Sequence, residues 1–362
     1  MARPTVAVLF GGRSSEHGVS CVTASGVLEA IDRDAWDVVA VGITPDGRWT
    51  QASDDPRDWR ILEGNLPQVA EDGDSVVLPG RAGERTWRVE RRGRLEPLAD
   101  VDVVFPLLHG PWGEDGTLQG ALELVDVRYV GAGVLASALG MDKEYARIVF
   151  RSAGLPVTRS VVVRGTEEAH VRRLEIEELS LPLFVKPARA GSSVGVSRVA
   201  SLDALDAALA DALKHDAKVI VEEVVMGREI ECAVLETSDG IRVSPPGEIV
   251  TAGRHEFYDY EAKYFDEASV TLSCPVELPP GAAETVRDYA RRAFVALGCE
   301  GIARVDTFVR EDGSVIVNEV NTMPGFTPFS MYPRMWQEDG LTYADLVETL
   351  LRTALDRPVG LR

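Results

Sequence analysis

The sequence predicts an α/β protein, and three stretches carry the prediction. Thr5–Phe10 is a β-branched, apolar run that ends at Gly11-Gly12, and a helical pattern follows with Val19, Val22, Val27, Leu28 and Ile31 on roughly one face. Val101–Leu108 repeats the plan, running into the glycine-studded segment His109–Gly116 and a helical pattern over Thr117–Val125. Near the end, Ala303–Arg310 and Val315–Val320 flank Glu311-Asp312-Gly313-Ser314, the pattern of a hairpin. Alternating strands and helices argue for a parallel sheet with helices on both faces.

The remaining elements follow in order. Asp37–Ile43 reads as the second strand. Residues 51–100 are polar, with short strand-like runs at Ser75–Leu78 and Arg85–Glu90, and read as an insertion on the βα scaffold. A boundary is expected near Gly131-Ala132-Gly133. Beyond it come a helix over Lys143–Ala153, a strand at Ser160–Val163 and a charged helix over Glu167–Leu179. The strand Leu183–Lys186 runs into a loop of small residues, Pro187–Gly195. A helix is expected over Asp203–Leu213 with Ser201 as its N-cap, then a strand at Val219–Val221. A second boundary falls near Gly227. Strands at Glu229–Leu235 and Ile241–Val243, and helices over Ala282–Leu297 and Tyr343–Asp356, complete the chain.

Composition narrows the function. The 362 residues are 45% hydrophobic and 27% charged, an ordinary globular balance. Lys and Arg total 38 against 58 Asp and Glu, a formal net charge of −20. Such a field disfavours nucleic acid and anionic membrane as partners, so small-anion binding needs cations gathered locally. Cys21, Cys232, Cys274 and Cys299 stand apart, with no C-x-x-C pair, which suits a reducing compartment. The apolar run Val6–Phe10 is too short for a signal core, so a cytoplasmic location is expected.

Several constellations carry chemistry. On the C-terminal hairpin, strand alternation puts Arg304 and Asp306 on one face, and Glu319 and Asn321 likewise. Two carboxylates and an amide oxygen make a ligand set for a hard cation such as Mg²⁺. A chain this acidic also places carboxylates on solvated strands, and the hairpin alone does not separate the two readings. Lys186 ends a buried strand before Gly191-Ser192-Ser193-Val194-Gly195, whose backbone and hydroxyl donors suit phosphate, although the P-loop pattern is absent. Glu222, Glu223 and, a little further on, Glu229 could accept from ribose hydroxyls and an adenine amino group; a solvated strand end is the ordinary alternative. Glu16 and His109 follow strands, where ligands of α/β sheets bind. Lys143 is unremarkable in isolation. G-x-G-x-x-G is missing after the first strand, so a nicotinamide-dependent dehydrogenase has little support.

Taken together, six segments in chain order closely resemble the D-alanine–D-alanine ligases of the ATP-grasp superfamily. They are Gly11–Glu16, Leu108–Gly110, Gly113–Gly120, Val185–Pro187 with Gly191–Gly195, Phe257–Tyr264 and Asn318–Thr327. The resemblance runs from Val6 to about Leu350. It implies an ATP-grasp fold preceded by an N-terminal Rossmann-like α/β domain, with domains at 1–131, 132–226 and 227–362. It implies ligation of two D-alanine molecules through a D-alanyl phosphate, giving D-alanyl-D-alanine for peptidoglycan. ATP and two Mg²⁺ ions are the implied cofactors, with Mn²⁺ able to substitute, and a homodimer is the implied assembly.

The resemblance also implies roles. Lys143, Lys186 and Ser193 would contact phosphates; Glu222, Glu223, Val225 and Glu229 would hold adenine and ribose. Asp306, Glu319 and Asn321 would ligate the metals. Glu16 would take the first D-alanine's ammonium, with His109 nearby, and Ser192 and Tyr264 would join Glu16 in closing an active-site loop. Lys263, Ser330 and Met331 would contact the second substrate, and Lys263 also serves the ATP site. Arg304 and the Gly325 N–H would stabilise the oxyanion. Three positions depart from common family residues: Glu223 replaces a lysine of some relatives, Gly140 a serine, and Ala303 a glycine. The rivals are D-alanine–D-lactate and D-alanine–D-serine ligases; in the family the Lys263-Tyr264 pair favours the dipeptide product. A catalytically silent nucleotide-binding regulator is a remoter rival, with no need for an intact metal cluster.

Overall fold

Thr5–Gly11 is buried because parallel strands flank it on both sides, Asp37–Ile43 and Val103–Pro106. The structure, a computed structural model, describes residues 3–191, 194–251 and 270–360. The first strand's end requires glycine. Gly11 has φ +88°, and a Cβ there would stand 2.4 Å from the Ile43 carbonyl oxygen, while the next amide, Gly12 N–H, donates to that oxygen at 2.7 Å. His17 opens the helix His17–Ala30 and locks this turn: its Nε2 accepts from Val69 N–H at 3.0 Å, so Nδ1 donates to the Gly12 carbonyl at 2.7 Å.

The polar stretch 51–100 is not a loose insertion. Trp49–Gln51, Ser75–Val77, Thr86–Arg91 and Arg94–Asp100 add antiparallel strands to one edge, making an eight-stranded first sheet. The outermost, Arg94–Asp100, is largely exposed and carries Pro97, as an edge strand tolerates.

Among the described residues, parallel strand pairing of the kind the sequence suggests is confined to the centre and far edge of that first sheet, apart from a single parallel bridge between Val157 and Val317. The middle sheet, ordered 197–199, 183–187, 218–223, 160–164, is wholly antiparallel. Leu183, Val185, Val219 and Val221 pack under the helices of 165–177 and 205–212. Strand alternation therefore turns Lys186, Lys218, Ile220 and Glu222 to the opposite face. The expected single helix over 167–179 is two, Gly165–Val171 and Arg173–Glu177. They break at Arg172, whose side chain donates to the Val162 carbonyl. Ser201 does not cap by its side chain; a 3₁₀ turn at Leu202–Ala204 leads into Leu205–Ala212.

The last sheet is antiparallel too, with Arg228–Thr237 beside Ile302–Val309 and then Val315–Asn321. Val305, Val317 and Val320 lie under the helix Ala282–Leu297, which leaves Arg304, Asp306, Glu319 and Asn321 on the other face. The helices Met331–Glu338 and Tyr343–Asp356 return to the first sheet, where Tyr332, Trp336, Leu346 and Leu350 share a core with Val6, Phe10 and Phe105. Among the described residues no helix is long and apolar enough to cross a membrane.

Candidate active site

The polar face of the last sheet, together with loops of the first sheet and the loop that follows Pro187, borders a cleft of about 1190 Å³. Its lining includes Glu16 and His109 from loops of the first sheet, Lys143 and Gly191 from a helix start and the small-residue loop, Arg304, Glu319 and Asn321 from the last sheet, and Gly325, Ser330 and Met331 beyond it.

The hairpin delivers its polar face as strand alternation requires. Asp306 lies opposite Glu319 and Arg304 opposite Asn321 in the register, with an irregularity just after Asp306. Arg304 donates to Asp306 through Nε and Nη2, each at 2.7 Å, and its Nε lies 3.4 Å from Glu231. Burial alone would disfavour the guanidinium's charge; Asp306 and Glu231 outweigh it and raise the group well above its ordinary value. Asn321 Nδ2 donates to Asp306 at 2.9 Å.

Lys143 reaches the hairpin from the start of the helix Lys143–Ser152. Asp142 caps that helix, accepting from the Glu144 and Tyr145 amides. The Lys143 Nζ stands 3.3 Å from Glu319 and donates to the Ala190 carbonyl at 2.9 Å. Its charge is the main reason the Glu319 carboxyl falls to about 2 despite burial, with Lys186 and Arg304 adding to the pull. Glu319 is thus held ionised among three cations.

Lys186 lies on the middle-sheet face opposite the helices, meets Glu222 at 2.6 Å and is not among the residues that line the cleft. Glu222 also pairs with Arg147, a buried residue of the Lys143 helix that the sequence reading passed over. Burial pushes Glu222 up, but Lys186 and Arg147 more than offset this and hold it below its usual value. Glu222 is therefore engaged inside the protein and does not line the cleft. Glu223 accepts from Arg159 at 3.0 Å and from the Ser180 amide at 2.9 Å. Val225 is half-buried on the segment that joins the middle and last sheets, and Glu229 is exposed on the strand Arg228–Thr237.

The first-sheet loops close the other side. A Cβ on Gly110 would come 3.2 Å from Glu16 Oε2, and one on Gly191 3.8 Å, so this carboxylate sits where two glycine loops meet. His109 Nδ1 lies 3.2 Å from the Met323 carbonyl. Glu114, which sequence reading also passed over, binds the same two loops: it accepts from Gly110 N–H at 2.6 Å and from Met323 N–H at 3.0 Å. Burial, reinforced by Glu16, pushes the Glu114 carboxyl up to about 8. Ser330 Oγ lies 2.8 Å from Thr327 Oγ1 and accepts from Thr327 N–H at 3.1 Å. Met331 is nearly buried at the cleft wall. Ser192, Ser193, Lys263 and Tyr264 lie outside the described residues.

The donors fit a hard cation. Among the described residues no three His, Cys, Asp or Glu side chains are grouped so as to hold a metal ion by themselves. Asp306, Glu319 and Asn321 offer two carboxylates and an amide, a partial oxygen set of the kind that substrate phosphates complete around Mg²⁺.

Comparison with known proteins identifies the family. Residues 5–132 match the family model described as the D-ala D-ala ligase N-terminus, and residues 149–352 the model of the D-ala D-ala ligase C-terminus. A D-alanine–D-alanine ligase of Paenarthrobacter aurescens is 53% identical over 367 residues, covering 99% of this chain and 97% of the relative. One of Streptomyces avermitilis is 52% identical over 372 residues, covering 99% and 96%. Among solved structures, a D-Ala:D-Ser ligase from Enterococcus faecalis superposes with a TM-score of 0.85 at 37% identity, covering 98% of this chain and all of that one. The D-alanine–D-alanine ligase from Coxiella burnetii gives 0.81 at 32%, covering 99% and 95%.

Proposed function

The chain belongs to the D-alanine–D-alanine ligase family, and on that premise we propose that it joins two D-alanine molecules, with ATP and Mg²⁺, into D-alanyl-D-alanine for peptidoglycan. The observation that carries the reading is the placement of Glu319, held ionised between Lys143 and Arg304 at the cleft that Glu16 faces from the other side.

A carboxylate is a poor acyl donor, so the first D-alanine is activated by phosphorylation from ATP. Glu16 binds its ammonium, with His109 beside it. Lys143, Lys186 and the loop through Gly191 and Ser193 neutralise and orient the phosphates. Glu223, Val225 and Glu229 serve the adenosine end of the nucleotide, while Glu222 is held by Lys186 and Arg147. Asp306, Glu319 and Asn321 hold Mg²⁺, which supplies charge neutralisation at the transferring phosphoryl oxygens. Ser330 and Lys263 bind the carboxylate of the second D-alanine, with Met331 against it, so that its neutral amine attacks the acyl carbon. Arg304 and the Gly325 N–H face the oxyanion that forms there. Arg304 is oriented beforehand by Asp306, which limits reorganisation during the reaction. Ser192 and Tyr264 join Glu16 in excluding water from the hydrolysable acyl phosphate.

We read the chain as three units, 1–131, 132–226 and 227–362, acting as a homodimer in the cytoplasm. Phosphate release from ATP tests the activity. It should depend on both Mg²⁺ and D-alanine, and release indifferent to D-alanine would reject the assignment.

A further inference from the structure

We propose that Lys218 is a positioning residue for the ATP site, setting the place of Lys143. The inference rests on the reading that Lys143 contacts nucleotide phosphates. Lys218 is 6% exposed, an uncommon degree of burial for a lysine. It opens the strand Lys218–Glu223 and lies on the same strand face as Glu222. Its Nζ pairs with Asp142, donates to Glu144 at 2.9 Å and stands 4.6 Å from the centre of the Tyr145 ring. These three residues surround Lys143 in sequence, and Asp142 is also the cap of its helix.

The backbone closes a second circuit to the same place. The Lys218 carbonyl accepts from Ala188 N–H at 2.9 Å, and the Ala188 carbonyl accepts from Lys143 N–H at 3.1 Å. The Lys143 side chain then reaches the Ala190 carbonyl and Glu319. One buried residue, through its ammonium and its carbonyl, therefore ties together the helix start, the small-residue loop and the middle sheet. One turn further along, Arg147 pairs with Glu222 on the same sheet face. The helix is gripped at two points one turn apart, and the Lys218 grip is adjacent to Lys143 with no intervening residue to absorb a shift. Loss of the Lys218 ammonium would leave the Asp142 carboxylate buried without its cation and release the helix start. The consequence expected is a misplaced Lys143 Nζ.

The test compares Lys218→Met, Lys218→Arg and Lys143→Ala with the unaltered protein. Binding of a non-hydrolysable ATP analogue with Mg²⁺ is followed by calorimetry, alongside KM for ATP, KM for D-alanine and melting temperature. Lys143→Ala and Lys218→Met should each weaken analogue binding by about tenfold or somewhat more, the order of one lost charge-assisted hydrogen bond, with KM for the first D-alanine within about twofold. Lys218→Arg should restore most of the affinity. If Lys218→Met does not fold, Asp142→Asn, which keeps the cap oxygen but breaks the ion pair, should give the same selective loss. Lys218→Met or Asp142→Asn with unaltered analogue affinity, beside a weakened Lys143→Ala, would overturn the positioning role alone. Unaltered affinity in Lys143→Ala would overturn the phosphate role of Lys143 and the proposal with it. Equal losses for ATP and D-alanine in Lys218→Met would mark a general structural role and reject the proposal.

Discussion

Arg304 grips Asp306 through two parallel bonds, Nε to Oδ1 and Nη2 to Oδ2, both 2.7 Å long. The two residues are next-but-one neighbours on a single strand, so the pleat alone brings them to one face. The pair couples a cation suited to an oxyanion with a carboxylate suited to a metal. Bidentate contact fixes the plane of the guanidinium as well as its position, which lysine could not reproduce.

Arg304→Met should lower kcat by about 10²–10³, the usual cost of an oxyanion donor, and raise KM for D-alanine far less. Steady-state kinetics with both substrates varied checks this. A change confined to KM would reject the oxyanion role.

Glu319→Ala should reduce turnover by at least about a hundredfold at ordinary Mg²⁺ while the far-ultraviolet circular dichroism stays that of the parent. The cause expected is loss of a carboxylate held ionised between Lys143 and Arg304. Near-parental activity over a Mg²⁺ titration would show that the metal is held elsewhere.

Glu114 imposes a pH dependence on stability. Its carboxyl is raised from 4.5 to about 8 in the folded protein. Between those values the folded state retains a proton that the unfolded chain has lost. The stability contributed by this group is therefore full below pH 4.5 and declines as pH rises through about 8. Urea midpoints measured across that range should fall with pH more steeply in the parent than in Glu114→Gln. Parallel profiles would show that Glu114 is ionised in the folded protein.

How much of this was legible in sequence differs from residue to residue. The hairpin face was, because a period of two and a tight turn determine which of Arg304, Asp306, Glu319 and Asn321 share a side. The helices Ala282–Leu297 and Tyr343–Asp356 were, through long amphipathic patterns. The helix Met331–Glu338 was missed although Met331, Tyr332, Met335 and Trp336 recur at helical spacing; Pro333 in its first turn fits a helix start. The edge strands of 75–100 were hard to see whole because their outermost member buries little and alternates weakly. Arg147, Lys218 and Glu114 owe their importance to partners far along the chain, such as Glu222, Asp142 and Met323. Local pattern does not register such pairings. The same holds for Glu222, whose strand-end position suggests a nucleotide ligand while its burial depends on Arg147 and Lys186.

The most direct measurement is product identity under competition. The protein is given ATP, Mg²⁺ and equal amounts of D-alanine, D-lactate and D-serine at mildly alkaline pH, where more of the nucleophilic amine is free, and the products are weighed by mass spectrometry. D-alanyl-D-alanine should predominate, with one phosphate released for each dipeptide formed. Predominant D-alanyl-D-lactate or D-alanyl-D-serine would replace the dipeptide assignment with the corresponding rival, and ATP turnover without any D-alanyl product would overturn the ligase assignment itself.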